Sequence, residues 1–335
     1  MTETELLPSP APAPAPRAGD RPGPARRALR LLAILACLPY ISIKIAWVAG
    51  SEIGIPAGSV LLEHRQTLAV ANSVSVLADV LVIVLALLLT QPWGRRVPAW
   101  LLALPMWAAT GLLAPIMTGY PTQLAVAVLT GDDQAAAPAE PFLHSWVFAV
   151  VYGGFILQGL SLGTLFVLYA RDRWGHLWRG RLGGLSARVS GPGVRATALV
   201  AAAVALFPLT LHVMWLSGAT EGLSPRQIVE RDADFTVLEF QWSVFLVVAV
   251  AFTLFLVLRR PGRLKVRTAL ALAWTGSGTV GCWGAYMSLV ALMPETDPAK
   301  QVTALTQLTY AGEMITGFLL AACLAVILRR RSAEA

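Results

Sequence analysis

The chain has 335 residues, of which 56% are hydrophobic and 13% charged, with a formal net charge of +7. Charged residues are thus about half as frequent as the ~25% of soluble domains, and apolar runs of eighteen or more residues recur along the whole length. Each such run can cross a hydrocarbon layer ~30 Å thick as a helix, so a soluble globular fold is excluded and an all-α polytopic membrane protein is expected.

In chain order, residues 1–28 open with the Pro/Ala tract "PSPAPAPAPRAGDRPGPARR". This composition cannot bury a core and predicts an extended cytoplasmic tail. "LLAILAC" could suggest a signal peptide ending in a lipidated Cys37. Leu35 stands where a small residue is wanted and the apolar run continues to Val48, so an uncleaved first span is expected.

Eight spans are predicted, at Leu29 to Val48, Leu68 to Leu89, Trp100 to Thr118, Trp146 to Tyr169, Ala196 to Leu216, Phe240 to Leu258, Leu270 to Leu292 and Ala304 to Leu328. Pro39, Pro105, Pro115 and Pro208 fall inside them. They predict kinks rather than breaks, because neighbouring membrane helices can satisfy the freed carbonyls.

Lysine and arginine set the orientation, since basic residues in short loops stay on the cytoplasmic side. Twenty-one of the 26 fall on one face, in the amino-terminal tail, after spans two, four and six, and in the carboxy-terminal tail. Both termini are therefore expected in the cytoplasm. The Arg-rich stretch "RDRWGHLWRGRLGGLSARVSGPGVR" sits just inside the membrane with interfacial tryptophans. Anionic lipid headgroups, not nucleic acid, are the expected partner.

Four short matches recur in order. Trp47, Gly50 and Gly54 match Trp215, Gly218 and Gly222 at an offset of 168, with Lys44 opposite His212. Pro92 matches Pro261, "WAATG" from Trp107 matches "WTGSG" from Trp274, and "YGGFILQG" from Tyr152 matches "YAGEMITG" from Tyr310. Two copies of a four-helix unit are expected, at residues 29–170 and 196–328, joined by a basic cytoplasmic linker at 171–195 and followed by a basic tail at 329–335. Four spans per copy is an even number, so the repeats should be parallel. Trp47 reads as an interfacial anchor before a tight exit.

Ionisable side chains inside spans are costly and mark candidate sites. Here they are Lys44, Asp79, His212 and Glu313. Lys44 either snorkels to the interface or lines a cavity. As a cavity residue its natural partner is Glu313, at a similar outer depth. Glu313 faces Phe155 in the first copy, so the repeat breaks there, and a carboxyl in low dielectric can accept and release a proton. Asp79 shares a helical face with Asn72 and Ser75, which suits either a permeation path or helix contacts.

The outer histidines His64, His144 and His212 lack the spacing of a haem or metal site, so no cofactor or metal is expected. Cys37, Cys282 and Cys323 are far apart and read as packing residues. "GSGTVG" from Gly276 to Gly281 formally fits the dinucleotide fingerprint, but inside a span it reads as a helix contact, as does "GLSLG" from Gly159 to Gly163.

The Pro/Ala tail with W-x-x-G span ends resembles multi-pass membrane proteins of high-GC bacteria. That resemblance covers the chain loosely and implies no activity. The residues themselves point to a transporter-like or permease-like protein of the cell membrane, with Lys44, His212, Glu313 and Asp79 as solute-binding candidates in a cavity between the halves. Proton coupling through Glu313 is its sharper form. The alternatives are a membrane-embedded enzyme using Asp79 and Glu313 as acid and base, or a helper protein without chemistry.

Overall fold

The structure, a computed structural model, describes residues 23–62, 65–131, 143–293, 295 and 297–334. The Pro/Ala tract lies outside the described residues except at its end, and His64 lies outside them as well. Every long apolar run forms a helix: α1 (Pro24–Val48), α2 (Arg65–Leu88), α3 (Ala99–Thr130), α4 (Ser145–Trp174) and α5 (Pro192–Leu216), then the short α6 (Pro225–Val229), α7 (Ala233–Leu258), α8 (Val266–Ala291) and α9 (Ala304–Glu334). Among the described residues there is no strand, only an isolated bridge between Arg181 and Lys265.

Seven of these helices are long and apolar enough to cross a membrane. The 26-residue α8 is long enough but too rich in Gly, Ser and Thr to meet the same hydropathy. Its surroundings explain this. Eleven of its residues are buried, and it packs on α9, α7 and α3, so most of its surface meets protein where small residues serve better than large apolar ones.

Two helices depart from the expected lengths. α3 runs on to Thr130 rather than ending at Thr118, because the stretch after Pro121 is apolar and Gly131 closes it in the left-handed conformation. α7 begins seven residues before Phe240, because the side chain of Asp232 caps it by accepting from Phe235 N–H at 2.8 Å. That earlier start draws Glu239 into a helix.

The packing falls into two groups. α1 packs on α2 and α4, with α3 against α4; α5 packs on α7 and α9, with α8 between α7 and α9. The groups meet mainly through α3 on α8. There Gly111 and Gly278 touch backbone to backbone, so that a Cβ on Gly111 would stand 2.2 Å from the Gly278 carbonyl oxygen. Trp107 reaches across, donating its indole N–H to Ser277 Oγ at 3.1 Å and packing on Phe318. Trp274 reaches the other way and stacks on Phe166 at 5.6 Å.

The "GSGTVG" segment behaves as a contact face. Gly276 meets Ala249 and Gly278 meets Trp107 closer than a side chain would allow, and a Cβ on Gly317 would stand 2.2 Å from the Gly281 nitrogen. Neighbouring helices also bond α3 beside Pro115: Trp283 donates to the Leu112 carbonyl at 3.2 Å and Gln241 to the Pro115 carbonyl at 3.2 Å.

Candidate functional site

The turns that follow α1 and α5 set the positions of Lys44 and His212. After α1, Gly50 N–H bonds Trp47 O and Ser51 N–H bonds Ala46 O; after α5, Gly218 bonds Trp215 and Ala219 bonds Met214. Both are Schellman closures, with the glycines at φ 90° and 105°. Trp47 Nε1 then donates to Ile53 O at 2.8 Å, and Trp215 Nε1 to Glu221 O at 2.8 Å. Gly54 (φ 76°) lies on Val147 and Gly222 (φ 82°) on Leu305. Both tryptophans are buried, at 7% and 3% exposure. They staple the exit loop to its helix instead of anchoring in the lipid interface, as their sequence position had suggested.

One turn before each tryptophan the two groups part. His212 lies between two carboxylates: Nδ1 is 2.5 Å from Glu239 Oε2, and Nε2 is 2.8 Å from Glu313 Oε1. The imidazole also meets the Trp215 ring edge-on at 5.3 Å. α5, α7 and α9 supply one member each, and all three are buried. Both ring nitrogens are engaged.

In the first group, Lys44 Nζ donates to Asn72 Oδ1 at 2.7 Å and lies over the Tyr40 and Trp47 rings at 4.9 and 5.0 Å. The side chain turns inward and does not snorkel. Deeper along α2, Asp79 Oδ1 accepts from Gln158 Nε2 at 3.1 Å, and the same nitrogen lies 3.1 Å from Cys37 Sγ. Asn72 and Asp79 are buried, at 1% and 4% exposure.

The expected contact between Lys44 and Glu313 is therefore not made, because each finds a partner inside its own helix group. Asp79 and Glu313 likewise belong to separate clusters, so they do not converge as an acid and a base. The candidate residues line the interior of each group, enclosed by its first, second and fourth long helices, not a cleft between halves that instead meet through glycine backbone. His144 precedes α4 with its side chain exposed and does not approach His212.

Glu239 is the member that sequence reasoning missed. It fell one residue outside a span placed from hydropathy, although Asp232 followed by a helical run was the available signal. Comparisons with protein-family models, with curated proteins and with solved structures found no match.

Proposed function

We propose that the chain is a membrane protein of eight spans, built as two parallel four-helix units with both termini cytoplasmic. In this reading it works in the cell membrane as a proton-coupled, transporter-like protein for a small solute. The length of α8 supports the eighth span. The matched exit turns, and the meeting of Gly111 with Gly278 at equivalent positions of the two halves, support the repeat. The basic end of the helix bundle supports the orientation and an association with anionic headgroups.

The observation that carries proton coupling is Glu239–His212–Glu313. Each short contact needs one proton between nitrogen and oxygen. Imidazolium supplies both; a neutral ring, with no further proton on a carboxyl, supplies one and turns a bare lone pair toward the other carboxylate. Loss of a proton therefore breaks the tie of α5 to either α7 or α9. In this way proton number is coupled to helix packing, which is the requirement for driving a solute with a proton gradient.

Two measurements test this reading. Infrared difference spectra of the protein in nanodiscs, between acid and alkaline buffer, should contain imidazole ring bands together with a carboxylate band that is lost in Glu313→Gln; the absence of both rejects the proton site. Proteoliposomes with a trapped pH dye, given pools of small polar metabolites, should acidify for at least one pool in the wild type and not in Glu313→Gln. Solute uptake that is unchanged in that variant rejects the coupling.

A further inference from the structure

The first helix group contains two oppositely charged side chains that do not meet, Asp79 buried and Lys44 half-buried. Lys44 and Asp79 stand on adjoining helices, α1 and α2. Lys44 nevertheless spends its contact on a neutral amide, and Asp79 spends one oxygen on Gln158. Unlike charges in an apolar interior are costly when left unpaired. Two polar atoms at this place are also buried without a partner, Asn72 Nδ2 and Asp79 Oδ2.

We propose that this group binds a small zwitterion, with its carboxylate on Lys44 Nζ and Asn72 Nδ2 and its ammonium on Asp79 Oδ2. The proposal rests on the transporter-like reading above and names the class of solute. Four observations select a zwitterion over a single ion or an uncharged molecule.

The upper end offers only spare donors: two of the three ammonium hydrogens of Lys44 and the orphan amide of Asn72. At the lower end Asp79 Oδ2 is an orphan acceptor. Lys44 and Asp79 cancel in charge, so an occupant with a net charge would leave the buried site charged. Asn72 and Asp79 are seven residues apart on α2, a rise of about 10 Å. Even after side chains lean inward, an α-amino acid is too short to bridge that gap, and a chain of several methylenes between the charges is needed.

The wall between the two ends suits such a chain. On α1, Tyr40 stands one turn below Lys44 and one turn above Cys37, which touches Gln158 at the level of Asp79. Its ring packs edge-on to Phe155 at 5.0 Å and carries Lys44 Nζ over it at 4.9 Å, so aromatic carbon lies between the levels of the two ends. Lys44 is only half-buried whereas Asn72 and Asp79 are enclosed. The ammonium end therefore enters first and the carboxylate rests near the exit loop.

The test is calorimetric titration of the full chain in nanodiscs with unbranched ω-amino acids of three to seven carbons. One or two neighbouring lengths should bind saturably. The N-acetyl and carboxamide derivatives of the best length, each lacking one charge, should bind at least tenfold more weakly. Lys44→Gln and Asp79→Asn should each weaken binding at least tenfold. Asp79→Glu, which keeps the charge and lengthens the arm, should move the optimum to a chain one methylene shorter, and this shift is readable even where another variant fails to fold.

No saturable binding at any length, or binding unchanged in both Lys44→Gln and Asp79→Asn, overturns the zwitterion site. The Glu313-dependent carboxylate band is read from the other helix group. Its persistence when binding fails confines the failure to this inference, and its absence when binding succeeds confines the failure to proton coupling.

Discussion

After α1 the chain turns on Trp47, Gly50 and Gly54, and after α5 it makes the same turn on Trp215, Gly218 and Gly222. One helical turn earlier, Lys44 holds a neutral amide and leaves polar atoms unpartnered nearby, whereas His212 is closed between two carboxylates. The likeness lies where backbone geometry admits few residues: a positive φ favours glycine, and a staple to a loop carbonyl needs an indole N–H. The difference lies where any side chain of suitable length fits. The frame is shared and the chemistry is local to each group.

The largest expected effect separates the two groups. His212→Ala should leave two buried carboxylates without their donor and cost about 3–5 kcal/mol. Lys44→Ala removes one charged bond to Asn72 and two ring contacts from a half-buried site and should cost less, about 1.5–3 kcal/mol. Thermal unfolding of the purified variants reads both, and equal losses would break the comparison. Restoring His212→Ala with Glu239→Gln and Glu313→Gln should recover most of the loss.

Next comes the contact between the groups. Gly111→Ala puts a methyl 2.2 Å from the Gly278 carbonyl oxygen, and Gly278→Ala puts one 2.9 Å from the Trp107 carbonyl oxygen. Each should cost about 2–3 kcal/mol by overpacking. A lowered unfolding midpoint is expected for both, and a neutral outcome at either would mean that α3 and α8 are not so closely apposed.

The exit turns should respond alike. Gly54→Ala and Gly222→Ala each force a left-handed residue and crowd Val147 or Leu305, at about 1–2 kcal/mol for the backbone alone. Similar shifts in the two variants sharpen the likeness, and a shift in only one breaks it. The smallest effect belongs to Trp47→Phe and Trp215→Phe. Each loses one indole bond, worth about 1 kcal/mol, and limited proteolysis should reveal faster cleavage in the loop that follows.

Much of this was readable from residue order alone. Run lengths above eighteen gave the long helices, the clustering of arginine marked one end of the helix bundle, and Trp, Gly and Gly at a constant offset picked out turns that prove alike in every hydrogen bond of the closure. The start of α7 was not readable from hydropathy, because a helix begins at its cap, here Asp232, and not where the apolar run begins; the far end of α3 was hidden by Pro121, which the helix absorbs although the residues after it are apolar. Glu239 was lost with the start of α7.

What the sequence determined by itself is therefore what depends on near neighbours: helix content, the presence of long apolar segments, and turn geometry dictated by glycine φ. Only the tertiary structure decided which polar groups meet. Lys44, Asn72 and Asp79, or His212, Glu239 and Glu313, are brought together by the choice of helices that pack side by side. That choice comes from many weak contacts over the whole chain, such as the glycine face of α8, so no spacing along the sequence encodes the partner of a buried charge.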